Sequence, residues 1–280
     1  MHFFVTGATG FLGSQFVKRA LSLNHEVTAL SRFNSFQRIK LSKQPKWCVG
    51  TLSDNWTRDL SSCDTLVHFA AEGVIDNFDN WERCFDINFV QFQNLIKNAF
   101  NVGIKKFLIC GSCFEYGKSG DLYEKIPTYA ELKPIGAYAS SKAAAGLAAL
   151  EFAKRKKLNL ILARVFHVYG EGENPKRFWP SLVEAALNGS DFKMTLGEQK
   201  RNFTRVDQMI SMLIDLCFDL ESIPKGGVIR NLGSSNNSSL KNFAINEWER
   251  LGATGAIKFG ELPYKKNEVM SYVPLLETLY

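Results

Sequence analysis

The sequence predicts an α/β fold, a doubly wound parallel sheet with a smaller C-terminal lobe, and three observations carry that prediction. Short apolar runs alternate with helical patterns over the first two thirds of the 280 residues. A glycine-rich turn, TGATGFLG at 6–13, directly follows the first of these runs. Beyond about residue 168 the alternation loosens into helices with isolated strand pieces such as VIRNLG at 228–233. Taken in order, HFFVT (2–6), EVTAL (26–30), WCVG (47–50), TLVHFA (65–70), KKFLICG (105–111) and LNLILARVF (158–166) read as strands. FLGSQFVKRALSLN (11–24), DINFVQFQNLIKNAFNVG (86–103) and AYASSKAAAGLAALEFAKRKK (137–157) have helical periodicity. Such alternation places helices on both faces of a parallel, Rossmann-like sheet. Residues 1–168 are expected to form the nucleotide-binding domain with the catalytic residues, and 169–280 mainly a substrate-binding lobe, with some segments returning to the sheet.

Composition narrows the function classes. The chain is 45% apolar and 22% charged, with a net charge of +6 spread along its length. Its densest basic run, KRKK at 154–157, closes a helical pattern, where cations complement the helix dipole, so no nucleic-acid partner is expected. No apolar run approaches the ~20 residues needed to span a bilayer, and a strand pattern begins at residue 2, which leaves no room for a targeting peptide. The expectation is a cytoplasmic enzyme or binding protein. Cys110 and Cys113 form a CxxC, but no second pair or suitably spaced histidine accompanies them. The six cysteines are therefore read as packed thiols, and no metal site is expected.

In TGATGFLG, Gly7 permits a tight turn, Gly10 a close approach of the backbone to a pyrophosphate, and Gly13 close packing of helix on strand. The free amides and positive end of the helix then face the anion. At the end of the second strand a carboxylate would hold a ribose 2′-hydroxyl, and an arginine a 2′-phosphate. No Asp or Glu lies between Glu26 and Asp54, whereas Ser31 and Arg32 stand at the strand end with Arg38 nearby. That pattern points to NADP(H).

YASSK places Tyr138 and Lys142 at i and i+4, on one helix face. An ammonium ~4 Å away, at an effective dielectric near 20, favours phenolate by about 4 kcal/mol before screening. Tyr138 is thereby expected to shuttle a proton near neutrality.

Together TGATGFLG, HFAA (68–71), Asn88 in DINFVQFQNLI, the serine of GSCFEYG (111–117), YASSK and ARVFHVYGEG (163–172) resemble, in order and over essentially the whole chain, the extended short-chain dehydrogenases/reductases of the nucleotide-sugar epimerase/dehydratase family. The resemblance implies a triad: Ser112 bonds the reacting sugar oxygen, Tyr138 transfers the proton, and Lys142 holds the nicotinamide ribose and tunes Tyr138. It places the cofactor against Thr9, Phe11 and Leu12 of the glycine loop, and against Leu52, Phe69, Ala70, Ala71 and Asn88, besides Tyr138 and Lys142. On the substrate side it implies Ser112 and Phe114, and Arg201 near the nucleotide ribose and phosphates. Lys265 stands there in place of the usual arginine at the pyrophosphate. His167 occupies a position where many relatives have asparagine beside the diphosphate, and a packed histidine suits it equally. Thr51 replaces an acid that often follows the glycine of GTLSD, and SYVPLLETLY (271–280) stops where relatives extend further. Relatives commonly pair through two helices, here 88–98 and 138–152, so a homodimer is expected.

Family dehydratases carry Asp-Glu immediately after the catalytic Ser or Thr, where this chain has Cys113 and Phe114. Glu115 comes one position late, and in extended geometry that turns it to the opposite face. Dehydration is therefore not expected. The tail FGELPYKKNEVM looks like that of bacterial 4-ketoreductases of surface-polysaccharide pathways, including O-antigen deoxysugar biosynthesis. The expected activity is NADPH-dependent reduction of a nucleotide-activated 4-keto-6-deoxy sugar. The alternatives are a nucleotide-sugar 4-epimerase and a non-catalytic NADP-binding sensor.

Overall fold

A computed structural model describes residues 1–74 and 80–276. The last four residues of SYVPLLETLY, 277–280, lie outside them. β1 (His2–Thr6) passes through the glycine turn into α1 (Phe11–Ser22), followed by β2 (Glu26–Ser31) and β3 (Lys46–Val49). After the short α2 (Thr57–Leu60) and β4 (Thr65–His68) come α3 (Trp81–Phe85), a π-helical stretch over Asp86–Gln91 and α4 (Phe92–Asn101), run end to end. β5 (Lys106–Ser112), α5 (Gly136–Lys156) and β6 (Asn159–Val165) complete the portion that sequence periodicity marks most clearly. β7 (His167–Tyr169), α6 (Phe178–Leu187), β8 (Phe192–Met194), β9 (Lys200–Arg205), α7 (Val206–Asp219) and β10 (Val228–Leu232) follow. Then come β11 (Asn237–Ser239), α8 (Leu240–Arg250), β12 (Ile257–Phe259) and β13 (Ser271–Tyr272).

Seven strands form one parallel sheet in the order β10-β6-β5-β4-β1-β2-β3. Both faces are covered, as a parallel sheet requires. Successive residues of β1 show how: Phe3 packs into the core shared with α1 and α7, and Phe4 into the core shared with α4 and α5. All seven residues of β6 are buried, which explains its unbroken apolar run. The chain order reverses between β1 and β4, so a crevice opens beyond their C-terminal ends.

The segment after residue 168 divides in two. VIRNLG is not an isolated piece: β10 pairs in parallel with β6 and extends the sheet. α7 brings Met209, Leu213 and Ile214 onto the core that α1 shares, because that sheet face needs a second helix. The rest forms the lobe, with Leu182, Met194, Ala244 and Trp248 at its centre and β11, β9, β13 and β7 in a small sheet beside the crevice.

Candidate active site

A cleft of about 520 Å³ lies over the C-terminal ends of β1, β2, β4, β5 and β6. Gly7, Thr9, Gly10, Phe11, Leu12 and Gly13 form its floor at one end. Gly7 has φ +67°, and a Cβ there would lie 2.5 Å from the Ala70 nitrogen. At Gly13 a Cβ would lie 2.1 Å from the Gly7 carbonyl oxygen, so helix and turn meet at a distance that only glycine allows. The N-terminus of α1 has no side-chain cap, which leaves its first-turn amides to an anion. This cradle fits a dinucleotide pyrophosphate. The adjoining wall, Phe69, Ala70 and Ala71, is held by Thr6, whose hydroxyl accepts from the Ala70 amide at 3.4 Å and bonds His68 Nδ1 at 2.7 Å.

Beside β2 the cleft is lined by Leu30, Arg32, Arg38, Gly50, Thr51 and Leu52, and across from them by Glu72 and Arg83. Glu72 lies 3.0 Å from Arg83 and 3.8 Å from Arg32. Two guanidinium groups thus share one carboxylate, Arg38 lines the same stretch, and cationic side chains outnumber the carboxylate here. Arg83 was not legible as a site residue, since it arrives from α3, fifty-one positions after Arg32. Ser31 stands at the end of β2, where its carbonyl accepts from the Gly50 amide at 2.9 Å.

At the centre stand Ser112, Tyr138 and Lys142, all on the cleft wall. Ser112 ends β5 and caps a 3₁₀ turn, Cys113–Glu115. Its hydroxyl accepts from the Phe114 amide at 3.2 Å, and burial pushes the pKa of the nearby Tyr138 phenol up. The expected tuning by Lys142 is not what this structure contains. The Lys142 Nζ, within the wall, donates to the Cys110 carbonyl at 2.6 Å, and burial keeps the phenol neutral. Asn88, in the π-helical stretch, is 2% exposed and does not line the cleft. Its amide nitrogen donates to the Glu72 carbonyl at 3.0 Å and to Ser141 at 2.9 Å, and its oxygen accepts from the Glu72 amide at 2.7 Å. Asn88 therefore ties the β4 loop to α5, which carries Tyr138 and Lys142.

Glu115 is turned from the cleft, but not by strand alternation. The 3₁₀ turn folds it inward, where one carboxylate oxygen accepts from the Ser112 amide and the other from Arg164 Nε, each at 2.8 Å. The cleft wall after Ser112 is thus Cys113 and Phe114. Phe114 packs edge-on against Tyr138, His167 and Tyr272, with centroids 6.5, 5.7 and 5.4 Å away. All six cysteines are free, and burial pushes Cys110 up to about 11 and Cys113 up to about 12.

On the lobe side His167, Glu173, Asn174 and Arg177 complete the wall. Burial, with Arg201 and Arg177 nearby, holds the His167 pKa well below its ordinary value. Arg201 is 7% exposed and outside the lining; it pairs with Glu268 at 2.7 Å and lies over the Tyr272 ring. Lys265 is an exposed residue of the turn before Glu268, also outside the lining. The structure thus brings together the glycine loop, Arg32, the triad, Phe114 and His167, and sets Asn88, Arg201 and Lys265 behind or beside them. Among the described residues no helix is long and apolar enough to cross a membrane.

Residues 3–233 match the profile of the NAD dependent epimerase/dehydratase family. A CDP-abequose synthase of Salmonella typhimurium is 24% identical over 95% of this chain and 87% of its own length. A probable UDP-glucuronate 4-epimerase of Rhizobium meliloti is 25% identical over 77% of this chain and 68% of its own. Among solved structures, MoeE5 in complex with UDP-glucuronic acid and NAD has a TM-score of 0.82 and 25% identity, covering 99% of this chain and 90% of that one.

Proposed function

We propose, for a chain that belongs to the NAD dependent epimerase/dehydratase family, the NADPH-dependent reduction of the 4-keto group of a nucleotide-activated 6-deoxy sugar in deoxysugar biosynthesis. The observation that carries this reading is the wall beside Tyr138. Ser112, Cys113 and Phe114 face the cleft while Glu115 is locked to Arg164, so the position used for elimination holds no carboxylate. Carbonyl and alcohol chemistry remains.

The cofactor, when bound, supplies the hydride. The protein handles the proton and the geometry. A phenol that burial keeps neutral is in the state that donates to a developing alkoxide, and Ser112, on the same cleft wall, is placed to hold the same oxygen. Lys142, withdrawn to Cys110 here, has its ammonium within the same wall to hold a ribose. Phe114 and His167 offer an apolar and a neutral polar surface to the sugar nucleotide. Arg32, Arg38 and Arg83 support NADPH over NADH. The resemblance to a CDP-abequose synthase along nearly the whole chain supports a deoxysugar product.

Epimerase relatives favour the second reading, a nucleotide-sugar 4-epimerase, about as well. One experiment separates the two. CDP-, dTDP-, GDP- and UDP-linked 4-keto sugars are offered with NADPH, and absorbance of the reduced nicotinamide is followed. Stoichiometric NADPH loss with one 4-hydroxy product supports the reductase. Interconversion of two 4-hydroxy sugars without net NADPH change overturns it in favour of the epimerase.

A further inference from the structure

Buried polar atoms in folded proteins nearly always have partners, so an orphan on a cleft wall calls for an explanation. Among the described residues, two side chains on the cleft wall carry such atoms: His167 through Nδ1, and Glu173 through Oε2. His167 belongs to the site already described. Glu173 closes the stretch HVYGEGE at 167–173, from which no role for it is read, and its side chain is 9% exposed. Its other oxygen lies 3.7 Å from Arg177 Nε.

The surroundings define what this carboxyl can hold. Arg177 reaches from the lobe to the Val74 carbonyl, 3.3 Å from its Nη1, and so spans the cleft. Gly73, next to Val74, packs against the catalytic tyrosine: a Cβ on it would lie 3.3 Å from the Tyr138 Cβ. Glu173 thus stands on the lobe side of the cleft beside Arg177, next to Gly172, where a Cβ would lie 3.5 Å from the Arg38 Cβ. A phosphate is a poor occupant here, since the carboxyl would face it with like charge. Burial pushes Glu173 up to about 7, so near neutrality it is present both with and without its proton. A hydroxyl, which donates and accepts, satisfies either form.

We infer that Glu173 is a specificity-determining residue that recognises a hydroxyl of the hexose in the sugar nucleotide. The inference rests on the nucleotide-sugar reading above. It assigns to the turn before α6 a contact with the sugar itself, where the cations of the cleft take the phosphates.

Glu173→Met keeps side-chain length and removes both oxygens. Affinities of wild type and variant are measured by calorimetry for NADPH, for CDP, dTDP, GDP and UDP, and for the corresponding nucleotide-linked glucoses, together with thermal melting. In wild type the matching nucleotide-glucose binds more tightly than its bare diphosphate. The variant is expected to lose about tenfold in affinity for the nucleotide-glucose, to keep its affinity for the diphosphate and NADPH within about twofold, and to melt no lower than wild type. An unlowered melting point is the sign of a ligand role, because Oε2 is buried without a partner in the free protein and the pair of the other oxygen with Arg177 is long, at 3.7 Å. Equal loss for sugar nucleotide and bare diphosphate, loss confined to NADPH, unchanged affinity, or a lower melting point with general loss would each overturn the inference. Failure of wild type to bind any nucleotide sugar would instead overturn the functional reading on which it rests.

Discussion

Glu115→Gln isolates the buried pair behind Ser112. Glu115 is fully buried and Arg164 is 2% exposed. Burial works against the Arg164 charge, but Glu115 and Tyr116 more than offset it, so the guanidinium stays ionised. Its Nη1 also donates to the Thr128 carbonyl at 3.2 Å, and its plane lies 4.6 Å from the Tyr116 ring centroid. An amide at 115 can still accept from the Ser112 amide but leaves the guanidinium without a counter-ion. Breaking a buried pair from one side costs about 3–5 kcal/mol. For a chain of this size that corresponds to a fall in Tm of roughly 10 °C. Replacing both partners, as Glu115→Leu with Arg164→Met, removes the uncompensated charge and is expected to restore most of the loss. Differential scanning calorimetry on the three proteins decides. If Glu115→Gln melts within about 2 °C of wild type, or if the double substitution is worse than the single one, the pair does not hold this turn as argued.

Tyr138→Phe is expected to abolish turnover while leaving NADPH affinity nearly unchanged, since the hydroxyl acts on the sugar; near-native turnover would contradict the catalytic assignment. Arg32→Asp should weaken NADPH binding by about 1.5–3 kcal/mol and narrow or invert the preference over NADH, and equal affinity of the native protein for both cofactors would remove the basis for that expectation. Glu173, raised from 4.5 to about 7 by burial, keeps its proton longer when folded than unfolded, so its contribution to stability is lost as pH rises from about 4.5 to 7. Relative to wild type, Glu173→Gln should therefore gain up to about 3 kcal/mol across that window in denaturant titrations; a pH-independent difference would show that Glu173 titrates normally. A homodimer through the helices at 88–98 and 138–152 is proposed, with Leu147 and Val90 half-exposed on those segments; light scattering showing a monomer at micromolar concentration would exclude it.

Local signals made much of the sheet and the glycine loop legible. β1 through β6 are each bounded by turn residues, and Gly7 and Gly13 satisfy a steric demand made by neighbours close in sequence or by the adjoining strand. β10 carries no such local mark, since VIRNLG reads alike as a lobe strand or a sheet strand, and its pairing with β6 is a contact across more than sixty residues. Ser112 was visible because it ends a strand. Its geometry was not, because extended alternation gave the right side for Glu115 on a wrong premise; the 3₁₀ turn is set by a capping box and by Arg164 in another strand. The same limit applies to Lys142. The i, i+4 spacing placed it on the face of Tyr138, and the Cys110 carbonyl that accepts its hydrogen bond comes from β5. Arg83 reaches the cleft from α3, and Glu173 and Arg177 from the turn before α6; side-chain type alone distinguishes none of them from surface charge.

Because β10 closes the sheet against β6, synthesis of the chain passes through a vulnerable interval. β6, NLILARV at 159–165, is made roughly 60 residues before its outer partner at 228–232. At ordinary elongation rates that is a delay on the order of 3–12 s. During it, a strand destined for complete burial presents a bare row of amides and carbonyls to neighbouring nascent chains. The half that carries the glycine loop is therefore not a separable fragment. A ribosome stalled or a message truncated between these two strands would release an aggregation-prone template, and expression at slow elongation should yield less soluble protein than the stability of the finished molecule implies.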